Sequence, residues 1–362
     1  MEQYIQRESY LHQLIARRDN GEIKIITGPR RSGKSWLLNR IYKEYLISEG
    51  VPEKNIIIVS LDTDDEEEFG DLTDRHTLKS YIYNRMQSAD SHYYIILDEV
   101  QEVEGFEKLV NGLNAKDNTD IYITGSNSHF LSSDIKTIFR GRGDEIRVYP
   151  FSFKEFCTDR IESISELWKE YYTYGGMPGL LKQHTPEQKV AYLQRLWNKT
   201  YLEEAFLFEG AKRYNIKGNK YYDSIKKYYA VDVGLRNAKL NFRQQEVTHI
   251  MENVIYNELR MRGFTVDVGL VEVREMRDGK LTYIQYEVDF IASNGTDKYY
   301  IQSAFAIDDE EKRQQELNSL LKIDDSFRKI VIVGNDIAEY TDDKGIRFMG
   351  LFQFLLTGLV SR

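Results

Sequence analysis

Residues 28–35 read Gly28-Pro29-Arg30-Arg31-Ser32-Gly33-Lys34-Ser35, and the architecture of the N-terminal half follows from them. Their spacing fits the pattern G-x-x-x-x-G-K-[ST]. The run before them, GEIKIITG (21–28), predicts a short apolar strand that ends in a glycine turn. The run after them, SWLLNRIYKEYLI (35–47), has apolar residues at helical spacing. A strand, this loop and a helix in that order indicate a phosphate-binding P-loop, or Walker A motif.

The chemistry of such a loop is direct. Glycines let the backbone curl so that successive N–H groups face one anion, and the following helix directs its positive N-terminal end to the same place. Lys34 is expected to reach the β- and γ-phosphates, and the Ser35 hydroxyl is expected to coordinate magnesium. The predicted cofactors are therefore ATP and Mg²⁺. The residues predicted to contact them are Gly28, Pro29, Arg30, Arg31, Ser32, Gly33, Lys34, Ser35 and Trp36.

A second acidic motif follows the apolar run HYYIILDEV (92–100), at the end of a predicted strand. In P-loop enzymes the first acid at such a strand end, here Asp98, holds magnesium (the Walker B position). Glu99 follows immediately and is predicted to orient and deprotonate the attacking water. Two acids in this place favour a hydrolase over a nucleotide kinase, so we expect ATP turnover.

Two further segments offer polar groups to the same reaction. TDIYITGSN (119–127) predicts a strand whose end places Asn127, or else Ser126, beside the water or the γ-phosphate; a simple turn is the alternative. The loop FRGRGD (139–144) carries Arg140 and Arg142, which are predicted to stabilise charge on the transferring phosphoryl group in their own subunit or in a neighbouring one. Pairing of these arginines with Asp144 or Glu145 is the alternative.

Composition limits the classes of protein that fit. Five apolar runs predict the strands of one doubly wound α/β domain, at 21–28, 54–62, 92–100, 119–127 and 144–152. A net charge of −9 argues against a broadly basic nucleic-acid-coating surface, and the single cysteine cannot form an internal disulfide. The N-terminus lacks the apolar core of a signal peptide, and the longest apolar stretch, 348–360, is too short to cross a bilayer and is expected to pack as a helix. We therefore expect a cytoplasmic protein without a membrane segment.

The ordered set of motifs resembles a family of prokaryotic AAA-type ATPases that carry a C-terminal PD-(D/E)XK nuclease-like domain of unknown function. The matching segments are TGPRRSGKSWLL, LDEVQ, YITGSNSHFLSSD, FRGRGDEIRVYPFSFKEF, YYTYGGMP, VDVGLRNAKLNFRQQEVTHIMENVIYNELRMRGF, EVDFIA and YYIQSAF. The resemblance implies a P-loop NTPase parallel sheet at 1–157, a helical linker at 158–225 and a restriction-endonuclease-like α/β domain at 226–362. It also implies the nucleotide, magnesium and water roles given above, with Asn127 as the sensor. Residues 199–218 leave little room for a helical segment that the family places there, so the linker is expected to be shortened.

The C-terminal domain carries the remains of a second acidic site. A helix predicted at 249–263 and strands predicted at 265–273, 284–292 and 298–304 resemble the PD-(D/E)XK core. Glu258 (or Glu252), Asp289 and Gln302 are the candidate oxygen ligands for a divalent cation. The lysine expected two residues after Gln302 is Ala304, and a migrated lysine such as Lys298 is without support. The sequence favours an inactive nuclease fold used for binding; an active nuclease and an unrelated α/β domain are the alternatives.

The leading functional interpretation is an ATPase whose nucleotide cycle moves or regulates the C-terminal domain on DNA. The alternative is a nucleotide-dependent switch or scaffold for a protein partner, and assembly into a homo-oligomer is left open by both. A tyrosine-rich run (Tyr221, Tyr222, Tyr228 and Tyr229, with Lys226 and Lys227) could stack on nucleic-acid bases, or could be half-buried strand residues.

Overall fold

The computed structural model describes residues 5–62, 70–125, 139, 141–200, 207–243, 245–277, 280–295, 297–307 and 310–359. The chain divides into two compact units. The first comprises residues up to 150, and the second comprises residues 151–199 together with those from 207 onward. Within the described residues, no helix combines the length and the apolar character needed to span a bilayer.

The first unit is built on a parallel sheet of five strands, as the sequence predicts. The strands are β1 (Ile23–Thr27), β2 (Ile56–Ser60), β3 (Tyr93–Asp98), β4 (Thr119–Thr124) and β5 (Gly143–Arg147). Their order in the sheet is β2-β3-β4-β1-β5. Because β1 and β3 both neighbour β4, the loop after β1 and the acids after β3 emerge at the same edge, one strand apart. A parallel five-stranded α/β sheet with this loop matches a P-loop NTPase.

Helices cover both faces of this sheet, as a parallel sheet requires. They are α1 (Glu8–Arg17), α2 (Lys34–Trp36), a π-helical segment (Leu37–Tyr42), α3 (Lys43–Ser48), α4 (Arg75–Arg85) and α5 (Phe106–Asn114), with 3₁₀ turns at Glu53–Asn55 and Val100–Glu102. Leu14 and Leu38 belong to the core on one face, and Leu78 and Val110 belong to the core on the other. Strands β2 and β3 are largely apolar runs because both of their faces are covered.

A buried polar network ties β1 to β4 inside the first unit. Lys24 and Asp120 form an ion pair in which the exposed fraction of the lysine side chain is 0%. The Tyr122 hydroxyl donates to the same carboxylate at 2.7 Å. A buried charge is tolerated only when it is paired in this way, so the two strands are held in one register.

The second unit contains an eight-stranded mixed sheet. Its strands are β6 (Phe208–Asn215), β7 (Lys220–Ala230), β8 (Thr265–Arg277), β9 (Lys280–Asn294), β10 (Asp297–Ala304), β11 (Arg328–Val333), β12 (Tyr340–Thr341) and β13 (Ile346–Gly350). Their order in the sheet is β12-β13-β11-β10-β9-β8-β6-β7. Its helices are α6 (Phe153–Phe156), α7 (Ile164–Tyr174), α8 (Pro186–Thr200), α9 (Val233–Lys239), α10 (Val247–Met261), α11 (Glu310–Leu321) and α12 (Leu351–Thr357), with a 3₁₀ turn at Pro178–Lys182. Helix α10 packs on one face of the sheet and α11 packs on the other.

Two sequence-based expectations about this unit were wrong. Residues 208–215 and 220–230 form strands of the second sheet, whereas we expected a helical linker up to 225. The tyrosine-rich composition of β7 suits a strand better than a helix. The apolar stretch 348–360 begins as the end of β13 and becomes helical only from Leu351.

Three of the sequence motifs contact one another in the second unit. The Asp232 carboxylate accepts hydrogen bonds from the amides of Gly176 at 2.8 Å and Leu235 at 2.9 Å. The Phe151 amide donates to the Gly176 carbonyl at 2.8 Å. A Cβ added at Gly234 would lie 1.8 Å from the carbonyl oxygen of Tyr174, so only glycine fits there. The segments FSF, GGMP and DVGLRNA therefore pack together and are joined by hydrogen bonds.

Candidate active site

The loop between β1 and α2 depends on its two glycines. Gly28 has a φ of +136°, and a Cβ at this position would lie 2.0 Å from the carbonyl oxygen of Val148. The Val148 amide donates to the Thr27 carbonyl at 2.8 Å, which holds the end of β1 against the chain after β5. Gly33 precedes α2 with a φ of +95°, a conformation that side chains of L-residues rarely adopt. The backbone can therefore turn sharply at both ends of the loop.

Lys34 and Ser32 are the buried polar side chains of this loop. Lys34 is 4% exposed, and its Nζ donates to the carbonyl oxygens of Gly28 at 3.0 Å and Pro29 at 3.1 Å. The Ser32 hydroxyl is buried and has no hydrogen-bond partner among the described residues. Both groups belong to the loop that is predicted to bind phosphate.

The remaining predicted nucleotide contacts differ in exposure. Pro29 is buried, whereas Arg30 and Arg31 are exposed. Trp36 is 40% exposed, and the Arg40 guanidinium lies 4.8 Å from the centre of its indole ring. Trp36 is therefore on the solvent side of the helix that follows the loop.

Arg7 is a buried support that the sequence did not reveal. Its guanidinium donates to the carbonyl oxygen of Ser32 at 2.8 Å and to that of Tyr149 at 2.8 Å. It also lies 4.5 Å from the centre of the Tyr10 ring. One arginine thus joins the phosphate-binding loop to the chain that leaves β5.

Asp98 lies beside the loop, as predicted. It is 2% exposed, and burial raises the pKa of its carboxyl, against the opposing hydrogen bonds from the Ser35 and Thr124 hydroxyls. The two groups predicted to hold magnesium, Ser35 and Asp98, are therefore in direct contact. A hydroxyl and a carboxylate are hard oxygen donors of the type that Mg²⁺ prefers.

Glu99 occupies a strained position next to Asp98. Its φ of 53° is unusual for a residue other than glycine, and such strain is found at functional sites when the surroundings enforce it. The contact that holds this backbone conformation is a hydrogen bond from the Glu99 amide to the Thr124 hydroxyl, at 2.9 Å. Gln101 Nε2 donates to the Glu99 carboxylate at 2.6 Å. Thr124 therefore holds both acids, although Asn127 and Ser126 were the residues expected to act from this strand end.

Asn39 is a second polar residue that we did not anticipate. It lies in the π-helical segment between buried leucine and isoleucine side chains, and its Nδ2 donates to Asp98 at 3.4 Å. Its Oδ1 is buried without a hydrogen-bond partner among the described residues. π-Helical segments are frequent at functional sites. The sequence feature that could have identified Asn39 is a lone asparagine on the inner face of the helix.

Of the remaining predicted catalytic residues, the structure describes only Arg142. Asn127, Ser126 and Arg140 lie outside the described residues. Arg142 is exposed, and its carbonyl oxygen accepts from the Ile23 amide at 2.8 Å, at the start of β1. The P-loop follows the other end of β1, about 13 Å away at the rise of a parallel strand. The Arg142 backbone therefore lies at the end of β1 opposite to the P-loop, and its role in phosphoryl transfer stays a prediction.

The second unit brings several acids around one lysine. Lys227 Nζ lies 2.6 Å from a carboxylate oxygen of Glu252 and 3.0 Å from one of Glu287. Asp289 accepts from the Ser303 amide at 2.8 Å, and burial and then the nearby Glu252 raise the pKa of its carboxyl. Lys227 opposes that shift.

Gln302 is held by helix α11 in the same region. Its Nε2 donates to Glu316 at 3.2 Å, and its Oε1 accepts from the Ser319 hydroxyl and from the Asp289 amide, each at 3.4 Å. Asp289 and Gln302 are therefore adjacent, as predicted. Within the described part of the chain, no cluster of three histidine, cysteine or acidic side chains is arranged to hold a metal ion.

Glu258 does not join this group, and its selection ahead of Glu252 was wrong. The two glutamates are six positions apart, which places them about 120° apart around the axis of α10. Glu258 pairs with Arg262 at 2.6 Å instead. Lys298 lies elsewhere too, with its Nζ 5.0 Å from the Tyr300 ring centre.

Comparisons with known proteins identify the domain that contains the P-loop. A family model described as an AAA domain matches residues 20–157. An uncharacterized protein of Haemophilus influenzae is 32% identical over 414 residues, which cover 97% of this chain and 98% of that protein. One of Methanocaldococcus jannaschii is 25% identical, with coverages of 89% and 85%. The structure of C. elegans PCH-2 is 16% identical over 54% of this chain and 62% of that one, with a TM-score of 0.31, too low to support an argument. The chain therefore belongs to the same family as the Haemophilus influenzae protein and carries an AAA-type ATPase domain.

Proposed function

We propose that this protein binds ATP with magnesium and hydrolyses it at the edge of the first sheet, using the energy to drive or regulate its C-terminal unit. The observation that supports this most strongly is the chain of contacts from Ser35 to Asp98 and from Thr124 to both acids. It joins the phosphate-binding loop to a carboxylate pair through hydroxyl groups. A structural turn would not require two buried acids held side by side.

The buried polar atoms of the site fit the groups that it would hold. The Ser32 hydroxyl and Asn39 Oδ1 lack partners within the described residues, and each lies next to a residue assigned to phosphate or metal. Magnesium, when bound, would neutralise the negative charge that develops on the phosphate group. Ser35 and Asp98 are the residues that would hold it, with Asn39 orienting the Asp98 carboxylate.

Each catalytic group has a distinct task in this proposal. Lys34 exchanges its two carbonyl partners for phosphate oxygens, so that its charge faces the group being transferred. Glu99 holds the attacking water and takes its proton as the oxygen bonds to the γ-phosphorus. The bond from that phosphorus to the bridging oxygen breaks, and ADP leaves with phosphate as the other product. Asn127 is assigned to orient the water, and Arg140 or Arg142 to act from a neighbouring subunit of a homo-oligomer.

We further propose that the C-terminal unit is an inactive nuclease-like domain that serves for binding. Ala304 replaces the expected lysine, and the Lys227 ammonium lies among Glu252, Glu287 and Asp289 where a nuclease would hold a cation. An internal cation removes the need for a metal at this position.

Steady-state ATP hydrolysis by the full chain, with magnesium present, tests the proposal. We expect Lys34→Ala to abolish ATP binding, and Glu99→Gln to keep binding while losing at least about two orders of magnitude in rate. Glu102→Gln is the matched control, because that glutamate follows Glu99 by three residues without contacting Asp98 in the described contacts. Hydrolysis by Glu99→Gln at the parental rate would show that the role of this carboxylate is misassigned.

The same assay separates the two candidate partners. Stimulation of turnover by DNA supports a motor or regulator that acts on DNA, whereas slow turnover that only a protein changes supports a switch or scaffold. Mass measurement in the presence of ATP tests for the homo-oligomer. Cleavage of nucleic acid with magnesium or manganese that vanishes in Asp289→Ala would contradict the inactive assignment.

A further inference from the structure

The face of β6 and β7 that points away from helix α10 carries exposed aromatic rings. Phe208 is 41% exposed, Tyr221 is 49% exposed and Tyr228 is 66% exposed. On the opposite face, Ala211 and Tyr229 are buried in the core that contains α10. Since successive side chains of a strand alternate between the two faces, the outer face of this edge of the sheet presents rings to solvent. We call it the β6–β7 outer face.

Lysine side chains lie beside two of these rings. Lys212 Nζ is 5.4 Å from the centre of the Tyr221 ring, and Lys239 Nζ is 5.9 Å from the centre of the Phe208 ring. Both lysines are exposed. Each ring is therefore next to a cation that remains accessible to an anionic group.

The third ring has a lysine neighbour of its own. Lys226 and Tyr228 flank Gly210 on the paired strand. A Cβ built on Gly210 would lie 3.0 Å from Lys226 Cδ and 3.2 Å from Tyr228 Cε1. The absence of a side chain at Gly210 lets both groups lie against the sheet. A substitution there would push them out of position.

The charge on this face is opposite to that of the whole chain, whose net charge is −9. The acid of β8 that contacts it, Asp267, accepts the Tyr221 hydroxyl at 3.0 Å. Glu209 of β6 points to the other face and pairs with Arg260 at 3.0 Å. Among the described side chains of the β6–β7 outer face, lysines thus accompany every exposed ring. Such a local positive potential attracts a polyanion.

We propose that the β6–β7 outer face binds single-stranded nucleic acid, with its rings stacked on bases and its lysines on phosphates. Rings alternating with lysines match the requirements of sequence-tolerant binding to a single strand. Phe208 and Gly210, which lies opposite Tyr228, are two residues apart on β6, or about 7 Å at the rise of a strand. That is about twice the 3.4 Å spacing along one strand of a duplex, so the rings suit bases that are unstacked from one another.

The test uses the full chain without nucleotide and a fluorescently labelled oligothymidylate, oligouridylate or duplex, with binding followed by anisotropy. We expect single strands to bind more tightly than the duplex. Tyr228→Ala should weaken binding about fivefold or more, the lower end of the contribution of one stacked base. Lys226→Gln should make the negative slope of log K against log salt shallower by about 0.7, the value for one phosphate contact on a single strand. Comparing the affinities for the deoxy and ribo strands shows whether the face prefers DNA or RNA.

Controls keep the result independent of folding and of ATP hydrolysis. Tyr283→Ala removes a ring of similar exposure, 64%, from β9 outside this face, and should leave binding unchanged. Lys34→Ala should also bind normally, so that failure of the proposed ATPase and failure of this surface are told apart. The proposal is overturned if the parent protein binds no strand, or if Tyr228→Ala folds and binds like the parent. It is equally overturned if Tyr228→Ala dissociates a dimer instead, since the face would then be an interface between copies.

Discussion

Replacing Arg7 by alanine tests whether a residue outside the phosphate-binding loop holds that loop in shape. Arg7 is 3% exposed, and its guanidinium reaches the carbonyl oxygens of Ser32 and Tyr149, each at 2.8 Å. A third carbonyl, that of Pro150, lies 3.4 Å away. Without the arginine, these buried acceptors lose their charged donor and the loop loses its connection to the chain after β5.

The cost can be worked from these contacts. A hydrogen bond to a charged group contributes about 1.5–3 kcal/mol, and Arg7 makes two short ones. The contact with the Tyr10 ring adds about 0.5–2 kcal/mol. Since the three share one side chain and are not additive, we expect Arg7→Ala to lower the free energy of unfolding of the first unit by about 3–5 kcal/mol. Arg7→Lys should recover only part of this, because an ammonium cannot reproduce the planar fork.

Hydrogen exchange of the β1 and β5 amides in the full chain measures this loss in the first unit alone. Calorimetry with ATP and magnesium measures the affinity for ATP, which should fall as well. Because binding must order the loosened loop, Kd should rise at least about tenfold. Arg40→Ala is the matched control, because that guanidinium is 38% exposed, pairs with Glu44 and should change stability by less than about 0.5 kcal/mol. Unchanged exchange and unchanged ATP affinity in Arg7→Ala would refute the reasoning.

Three further predictions follow from buried contacts. Gly28→Ala should destabilise the first unit by at least about 2 kcal/mol and weaken ATP binding, because its Cβ would lie 2.0 Å from the Val148 carbonyl oxygen; normal calorimetric binding would contradict it. Asp120→Asn should cost about 3–5 kcal/mol in denaturant unfolding by leaving the Lys24 ammonium uncompensated, and an Asp120→Leu/Lys24→Met double variant should recover part of the loss. Burial raises the pKa of Glu258 from 4.5 to about 7, so the folded state holds a proton that the unfolded state has released between these values. The stability of the second unit should therefore fall by about 3 kcal/mol as pH rises through that window, and Glu258→Gln should flatten the slope.

The nucleotide site was predictable in outline because its determinants are local. A strand, a glycine-rich turn and a helix must follow each other directly for loop amides to face one anion, so Gly28 to Ser35 can be interpreted in isolation. The same holds for Asp98, which ends an apolar run recognisable as a buried strand. All five strands of the first sheet were predicted for this reason, and so was the contact of the loop with the acids.

Residues that act across strands were not predictable. Thr124 contacts Asp98 and Glu99 only because β4 lies beside β3, and a polar strand end does not reveal which side chain turns inward. Asn127 and Ser126, the residues chosen instead, lie outside the described residues, so their roles remain predictions. In the second unit, the choice between Glu252 and Glu258 required the rotation of α10 about its axis, which apolar periodicity constrains only loosely.

The phosphate-binding loop is therefore encoded directly in the order of amino acids. The hydrogen bonds of its glycine turns, and of the strand end and helix start beside it, are made by residues that are close in sequence. The placement of Arg7 on the loop and of Lys227 among acids depends on how segments far apart in sequence pack. That packing also separates the lysine-flanked rings of β7 from Tyr229, which shares their local pattern yet is buried. A buried charge gains its partner only after the chain has folded, and no short stretch of residues specifies which partner that will be.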